Sequence, residues 1–142
     1  AAASPDVSAS AEARFRQRYP GAQVLVAEDE PISREISVEL LTDAGCLVDT
    51  AVDGAQAVAA AQARDYDVIL MDMQMPVMNG LEATRRIRQG PRNRDTHIIA
   101  TTANAFDDDR AACLAAGMND HVPKPLDPDR LFDAMLKALA PR

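Results

Sequence analysis

Aromatic residues are scarce: the 142-residue chain has no tryptophan, two tyrosines and three phenylalanines. A core of stacked rings is excluded, so the hydrophobic 47% must pack mainly as Val, Ile, Leu, Met and Ala. Two cysteines, Cys46 and Cys113, are too few for a disulfide framework and fit no metal-ligand spacing; they read as small core residues of a reducing compartment. No basic cluster interrupts a net charge of −7, which argues against direct contact with nucleic acid. No apolar run approaches the roughly 18 residues of a membrane span, and the N-terminus lacks the basic-then-apolar plan of a signal peptide. The expectation is one acidic domain that itself makes no membrane contact.

The first 21 residues stand apart. Ala1 to Ala11 is rich in Ala and Ser, the composition of a linker. Ser10 can cap a short helix through Glu12, Phe15 and Arg18, closed by Pro20-Gly21. Phe15 and Tyr19 are its only large apolar groups, so a flexible leader is expected, with the folded domain over 22–140.

From Gln23 the chain alternates strand and helix. Val24 to Ala27 reads as a buried strand; Ile32, Ile36, Leu40, Leu41 and Ala44 then recur at helical spacing, with Pro31 in the first turn and Gly45 at the stop. Leu47 to Ala51 is a second strand, followed by the alanine-rich helix Ala55 to Arg64. Val68-Ile69-Leu70-Met71-Asp72 is a third, apolar enough for burial on both faces. Asn79-Gly80 can cap a helix carrying Leu81, Thr84 and Ile87 on one face, and Gly90-Pro91 breaks it. His97 to Thr101 is the fourth strand, and a helix over about 106–116 follows. His121-Val122 is a short fifth strand, and Asp127 and Pro128 start the last helix. Five strands each followed by a helix predict an α/β doubly wound parallel sheet.

Polar residues fall at the strand ends. Glu28 and Asp29 follow the first strand, Asp72 closes the third, Thr101-Thr102 the fourth, and Lys124 stands just after the fifth. Ligands collect beyond the carboxyl ends of such strands. If the order is 2-1-3-4-5, the first and third strands are neighbours and Glu28, Asp29 and Asp72 converge. Three carboxylates that close repel one another unless cations balance them. Lys124 and one divalent ion would do so, and hard oxygen donors suit Mg²⁺, with Mn²⁺ as an alternative. Each residue taken singly has a plainer reading: a turn former, a helix cap, a solvated loop charge. Their joint placement at one sheet edge is what points to a site.

Val24 to Pro31, Val68 to Gly80, Ile98 to Ala105 and Val122-Pro123-Lys124-Pro125 together resemble the receiver domain of two-component response regulators. The likeness runs from about residue 22 to about 140, in the family's order and spacing. It implies a (βα)5 flavodoxin-like receiver fold of order 2-1-3-4-5. It implies Asp72 as phosphoryl acceptor from phosphohistidine on a histidine kinase or histidine phosphotransfer domain. Asp29, Asp72 and the Gln74 carbonyl would be Mg²⁺ ligands, with Glu28 acting through water. Lys124 would pair with a phosphoryl oxygen, and its bond to Pro125 would be cis. Thr102 would be the switch hydroxyl, and His121 stands at the switch position where many relatives carry Tyr or Phe. Gln74 and Asn104 would flank the pocket and influence attack by water.

Met71 to Pro76, Leu81 to Arg88, Thr102 to Ala105 and Gly117 to Asp120 look most like receivers attached to hybrid sensor histidine kinases. That resemblance implies a monomeric, cytoplasmic phosphoacceptor domain, at most self-dephosphorylating, tethered to a membrane-bound kinase. A stand-alone regulator and a degenerate receiver that only binds proteins are the alternatives. A haloacid-dehalogenase-type phosphatase would want an acid where Gln74 stands. A flavodoxin-like cofactor binder would want a glycine- and hydroxyl-rich loop where Glu28-Asp29-Glu30 stands.

Overall fold

The computed structural model describes residues 10–102, 107–124 and 126–140. In chain order its elements are α1 (Ala11–Arg18), β1 (Gln23–Ala27), α2 (Pro31–Asp43), β2 (Leu47–Ala51), α3 (Gly54–Ala63), β3 (Val68–Asp72), α4 (Gly80–Gln89), β4 (His97–Thr102), α5 (Asp107–Ala116), β5 (Asp120–Pro123) and α6 (Pro128–Leu139). All strand pairs are parallel, in the order β2-β1-β3-β4-β5. The five-stranded doubly wound sheet is the one expected from the alternation.

Strand periodicity divides the core into two layers. Val24, Val26, Val68 and Leu70 face a cluster with Leu41 of α2 and with Leu131, Phe132 and Met135 of α6. Leu25, Ala27, Ile69 and Met71 face the other cluster, with Ala57 and Ala61 of α3, Ala83 and Ile87 of α4, and Cys113 of α5. Cys46 and Cys113 are both buried, as expected of small core residues, and burial pushes the Cys46 thiol up to about 11. No helix among the described residues is long and apolar enough to cross a membrane.

Capping chemistry sets most helix starts. Ser10, Glu30, Asp53 and Asn79 each accept a backbone N–H from the first turn of their helix. Asp127 holds the N-cap position of α6, but its side chain makes no cap hydrogen bond; Pro128 at the first helical position removes one donor instead.

Residues 1–9 of the expected leader lie outside the described residues; the rest of it is packed rather than loose. Residues 10–19 pack onto the domain: the Phe15 side chain is fully buried, its ring 5.4 Å from that of Tyr19 and 5.5 Å from that of Phe132. The Tyr19 hydroxyl donates to the Leu139 carbonyl at 3.0 Å, and Arg14 reaches Asp133. Ala11 and Phe15 bury the inner face of this otherwise polar helix in the cluster that holds Phe132.

Candidate functional site

Strand register brings the polar ends together. Ala27 pairs with Met71, so Glu28 and Asp72 leave adjacent strands at the same height. Asp72 pairs with Thr101, and Thr102 with Pro123, so Lys124 leaves β5 beside the end of β4. The Lys124 N–H donates to the Thr102 carbonyl at 2.8 Å, tying the threonine and the lysine together through the main chain.

Lys124 bridges the two buried acids. Its Nζ lies 2.5 Å from Glu28 Oε1 and 3.3 Å from Asp72 Oδ2. Asp29 stands further out, yet Glu28, Asp29 and Asp72 each offer a carboxylate oxygen within 4.8 Å of the others. The remaining oxygens are held by main chain: Glu28 Oε2 accepts from the Glu30 N–H at 3.2 Å, and Asp72 Oδ1 from the Gln74 N–H at 3.2 Å. The Glu28 N–H itself donates to Ala51 of β2.

The electrostatics follow from that crowding. Burial first, then a hydrogen bond shared with Glu28, push the Asp72 carboxyl up to about 7, against the opposing pull of the Gln74 N–H and Lys124. Burial opposes the charge of Lys124, but its bonds and charge pairing with Glu28 and Asp72 outweigh that and hold the ammonium above its ordinary range. Once Asp72 is ionised, three carboxylates stand against the single Lys124 ammonium, a net charge of −2. Oxygen donors at this spacing fit a hard divalent cation such as Mg²⁺.

Two glycines and one loop shape the floor. The Gly80 N–H donates to the Met73 carbonyl at 3.2 Å, closing the Met73–Asn79 loop beneath Asp72. A Cβ on Gly54 would strike the Met78 carbonyl, so α3 also abuts this loop. Within it Val77, 82% exposed, has φ +70, and the Met78 N–H donates to the Pro76 carbonyl at 2.7 Å, the i→i+2 bond of a γ-turn. Nothing in a β-branched residue signals that conformation. Arg34 of α2 is the other residue that pattern reading missed: its Nη1 donates to the carbonyls of Glu28 and Asp29.

Glu28, Asp29, Asp72 and Lys124 therefore meet as expected, with buried Thr102 at the adjoining strand end. The Gln74 side chain is exposed, and its backbone nitrogen is what touches Asp72. His121 is apart from the acids: it is half-buried on β5 and lines a cavity of about 30 Å³ with Cys113, Leu114, Asn119 and Asp120. Asn104 and the Lys124–Pro125 bond fall outside the described residues. A cleft of about 140 Å³ opens beside the cluster, walled by Ser33, Ile36, Ser37 and Leu126.

A family model described as the response regulator receiver domain matches residues 24–136. The transcriptional regulatory protein TcrA of Mycobacterium tuberculosis is 38% identical over 125 residues, which is 88% of this chain and 48% of that protein. The signal transduction histidine-protein kinase BarA of Shigella flexneri is 38% identical over 114 residues, 80% of this chain and 12% of the kinase. The chain thus spans about half of one relative and a small part of the other. The receiver domain of the sensor histidine kinase PA1611 from Pseudomonas aeruginosa, crystallised with magnesium in its active site cleft, is 40% identical, with a TM-score of 0.80. That likeness covers 85% of this chain and 99% of the other.

Proposed function

The chain belongs to the response regulator receiver family, and from that premise we propose that it accepts a phosphoryl group on Asp72 from a phosphohistidine, with Mg²⁺ bound beside it. The observation that carries this reading is Lys124 held between Glu28 and Asp72, with Asp29 at the same edge. A buried carboxylate with an ammonium beside it and two further acids to hold a divalent cation has the nucleophile and the charge neutralisation that phosphoryl transfer needs.

In the step, an Asp72 carboxylate oxygen attacks phosphorus in line as the phosphorus–nitrogen bond of the donor breaks, and that electron pair returns to the imidazole. Asp72 Oδ1 is held by the Gln74 N–H, which orients the carboxylate, and Lys124 stands ready to move from the acids to a phosphoryl oxygen. Asp29, Asp72 and the Gln74 carbonyl would hold Mg²⁺, with Glu28 acting through water. When bound, the ion supplies charge neutralisation for the equatorial oxygens. Mn²⁺ offers the same hard-cation chemistry.

Phosphorylation then adds charge beside Thr102, whose hydroxyl turns to the new group and shifts the population of the β4–α5 surface. His121, on the α5 side of β5, responds to that shift rather than to the metal. Gln74 and Asn104 tune the attack of water on the acyl phosphate.

The donor is a histidine kinase or histidine phosphotransfer domain. The apolar wall beside the site, with Ile32 and Ile36 exposed on α2, supports helix docking there. The receiver portion of a hybrid sensor kinase is the best-supported parent, since PA1611 and BarA are kinases. The chain alone then acts as a monomeric phosphoacceptor. Incubation with a phosphorylated histidine phosphotransfer domain tests the donor: label should leave histidine and appear on this chain. Label that stays on histidine with every such donor while small acyl phosphates still react would overturn the donor assignment.

A further inference from the structure

The Glu28-Asp29-Glu30 loop must point successive carboxylates at a buried acid across the sheet edge, against their mutual repulsion. Something has to hold its main chain. The Glu28 N–H is tied to Ala51 of β2, and Glu30 is tied to the first turn of α2, where it accepts from the Ile32 and Ser33 N–H groups. The two carbonyls between these anchors, those of Glu28 and Asp29, are taken by one nitrogen: Arg34 Nη1, at 3.1 and 3.3 Å. The backbone of Arg34 is itself fixed by its N–H to the Glu30 carbonyl at 2.9 Å.

We propose that Arg34 is a positioning residue of the cation site, clamping the Glu28 and Asp29 carbonyls from behind so that both carboxylates stay turned toward Asp72. This inference rests on the metal-site reading above. A guanidinium suits the task because its donors are planar and preorganised and its charge strengthens both bonds. Among the described residues its side-chain hydrogen bonds go to main-chain carbonyls and none goes to a carboxylate oxygen, so its effect on the cation passes through loop geometry.

The sign of the effect separates this role from plain electrostatics. Arg34→Met removes a positive charge near a cation site, which by Coulomb's law alone tightens Mg²⁺ binding. Loss of the clamp instead loosens the donor set, and removal of such an outer support typically weakens metal binding by roughly 10- to 100-fold.

The test is isothermal titration of Mg²⁺ into wild-type chain, Arg34→Met and Asp29→Asn, in high salt to mute long-range charge. Circular dichroism and a urea midpoint confirm the fold of each. Arg34→Met is expected to bind about tenfold or more weaker than wild type. Equal or tighter binding overturns the proposal. Should Arg34→Met fail to fold, Arg34→Ala takes its place: the charge and both carbonyl bonds are lost together, so weaker binding supports the clamp and equal or tighter binding overturns it. Wild type that binds no Mg²⁺, or Asp29→Asn that binds as wild type, overturns the metal site itself and is distinguishable from failure at Arg34 alone.

Discussion

Gly80 lies so close to the backbone carbonyl of Asp72 that a Cβ at position 80 would overlap its oxygen and sit 3.0 Å from its carbon. The start of α4 is thereby wedged under Asp72, the proposed phosphoacceptor, and the same Cβ would stand 3.1 Å from the Met71 side chain. Gly80→Ala should destabilise the fold by about 1–3 kcal/mol, the usual cost of overpacking. It should also weaken Mg²⁺ binding, because the strain is relieved by moving Asp72. Urea unfolding and a Mg²⁺ titration on the same variant check both effects; normal stability with normal affinity would contradict the contact.

The second relationship ties α1 to the last helix. Phe15 and Phe132 are each fully buried, with their rings 5.5 Å apart. Phe15→Ala should cost about 3–5 kcal/mol of unfolding free energy. A urea midpoint measured beside that of a chain starting at residue 22 checks it. The two should lose similar stability if Phe15 is the main anchor.

Asp72 makes stability depend on pH in an unusual direction. Its folded-state value is raised from 3.8 to about 7, so the folded protein binds more protons than the unfolded chain between those values. The contribution of Asp72 to stability in the absence of Mg²⁺ therefore falls as pH rises through that window, the reverse of a salt-bridged aspartate. Asp72→Asn should remove the loss and be about 1–2 kcal/mol more stable than wild type at pH 8, with a smaller gain at pH 5. Added Mg²⁺ should stabilise wild type at pH 8 and leave Asp72→Asn nearly unchanged. Urea midpoints at both pH values, with and without the ion, decide this.

Much of the site was readable because each acid follows an apolar strand, and such runs are visible from side-chain type alone. Val68 to Met71 ends on Asp72, Val24 to Ala27 ends on Glu28, and parallel pairing brings those ends to one edge. What stayed hidden depends on shape rather than pattern. Arg34 acts through carbonyls that every residue possesses, so its identity carries no mark of its partners. Gly80 reads as a helix start, and only the packed structure shows the carbonyl that excludes a side chain. The docking of α1 depends on a groove formed by α6 from the far end of the chain, which Phe15 alone does not announce.

Phosphoryl transfer to Asp72 is expected to need the acidic cation site. Its most direct test is incubation with a radiolabelled small acyl phosphate and Mg²⁺, followed by chemical mapping of the product. The expected product carries one acid-stable, alkali-labile phosphoryl group per chain, lost when the metal is chelated and lost in Asp72→Asn. Labelling that persists unchanged in Asp72→Asn, or that proceeds equally well without a divalent ion, would contradict it.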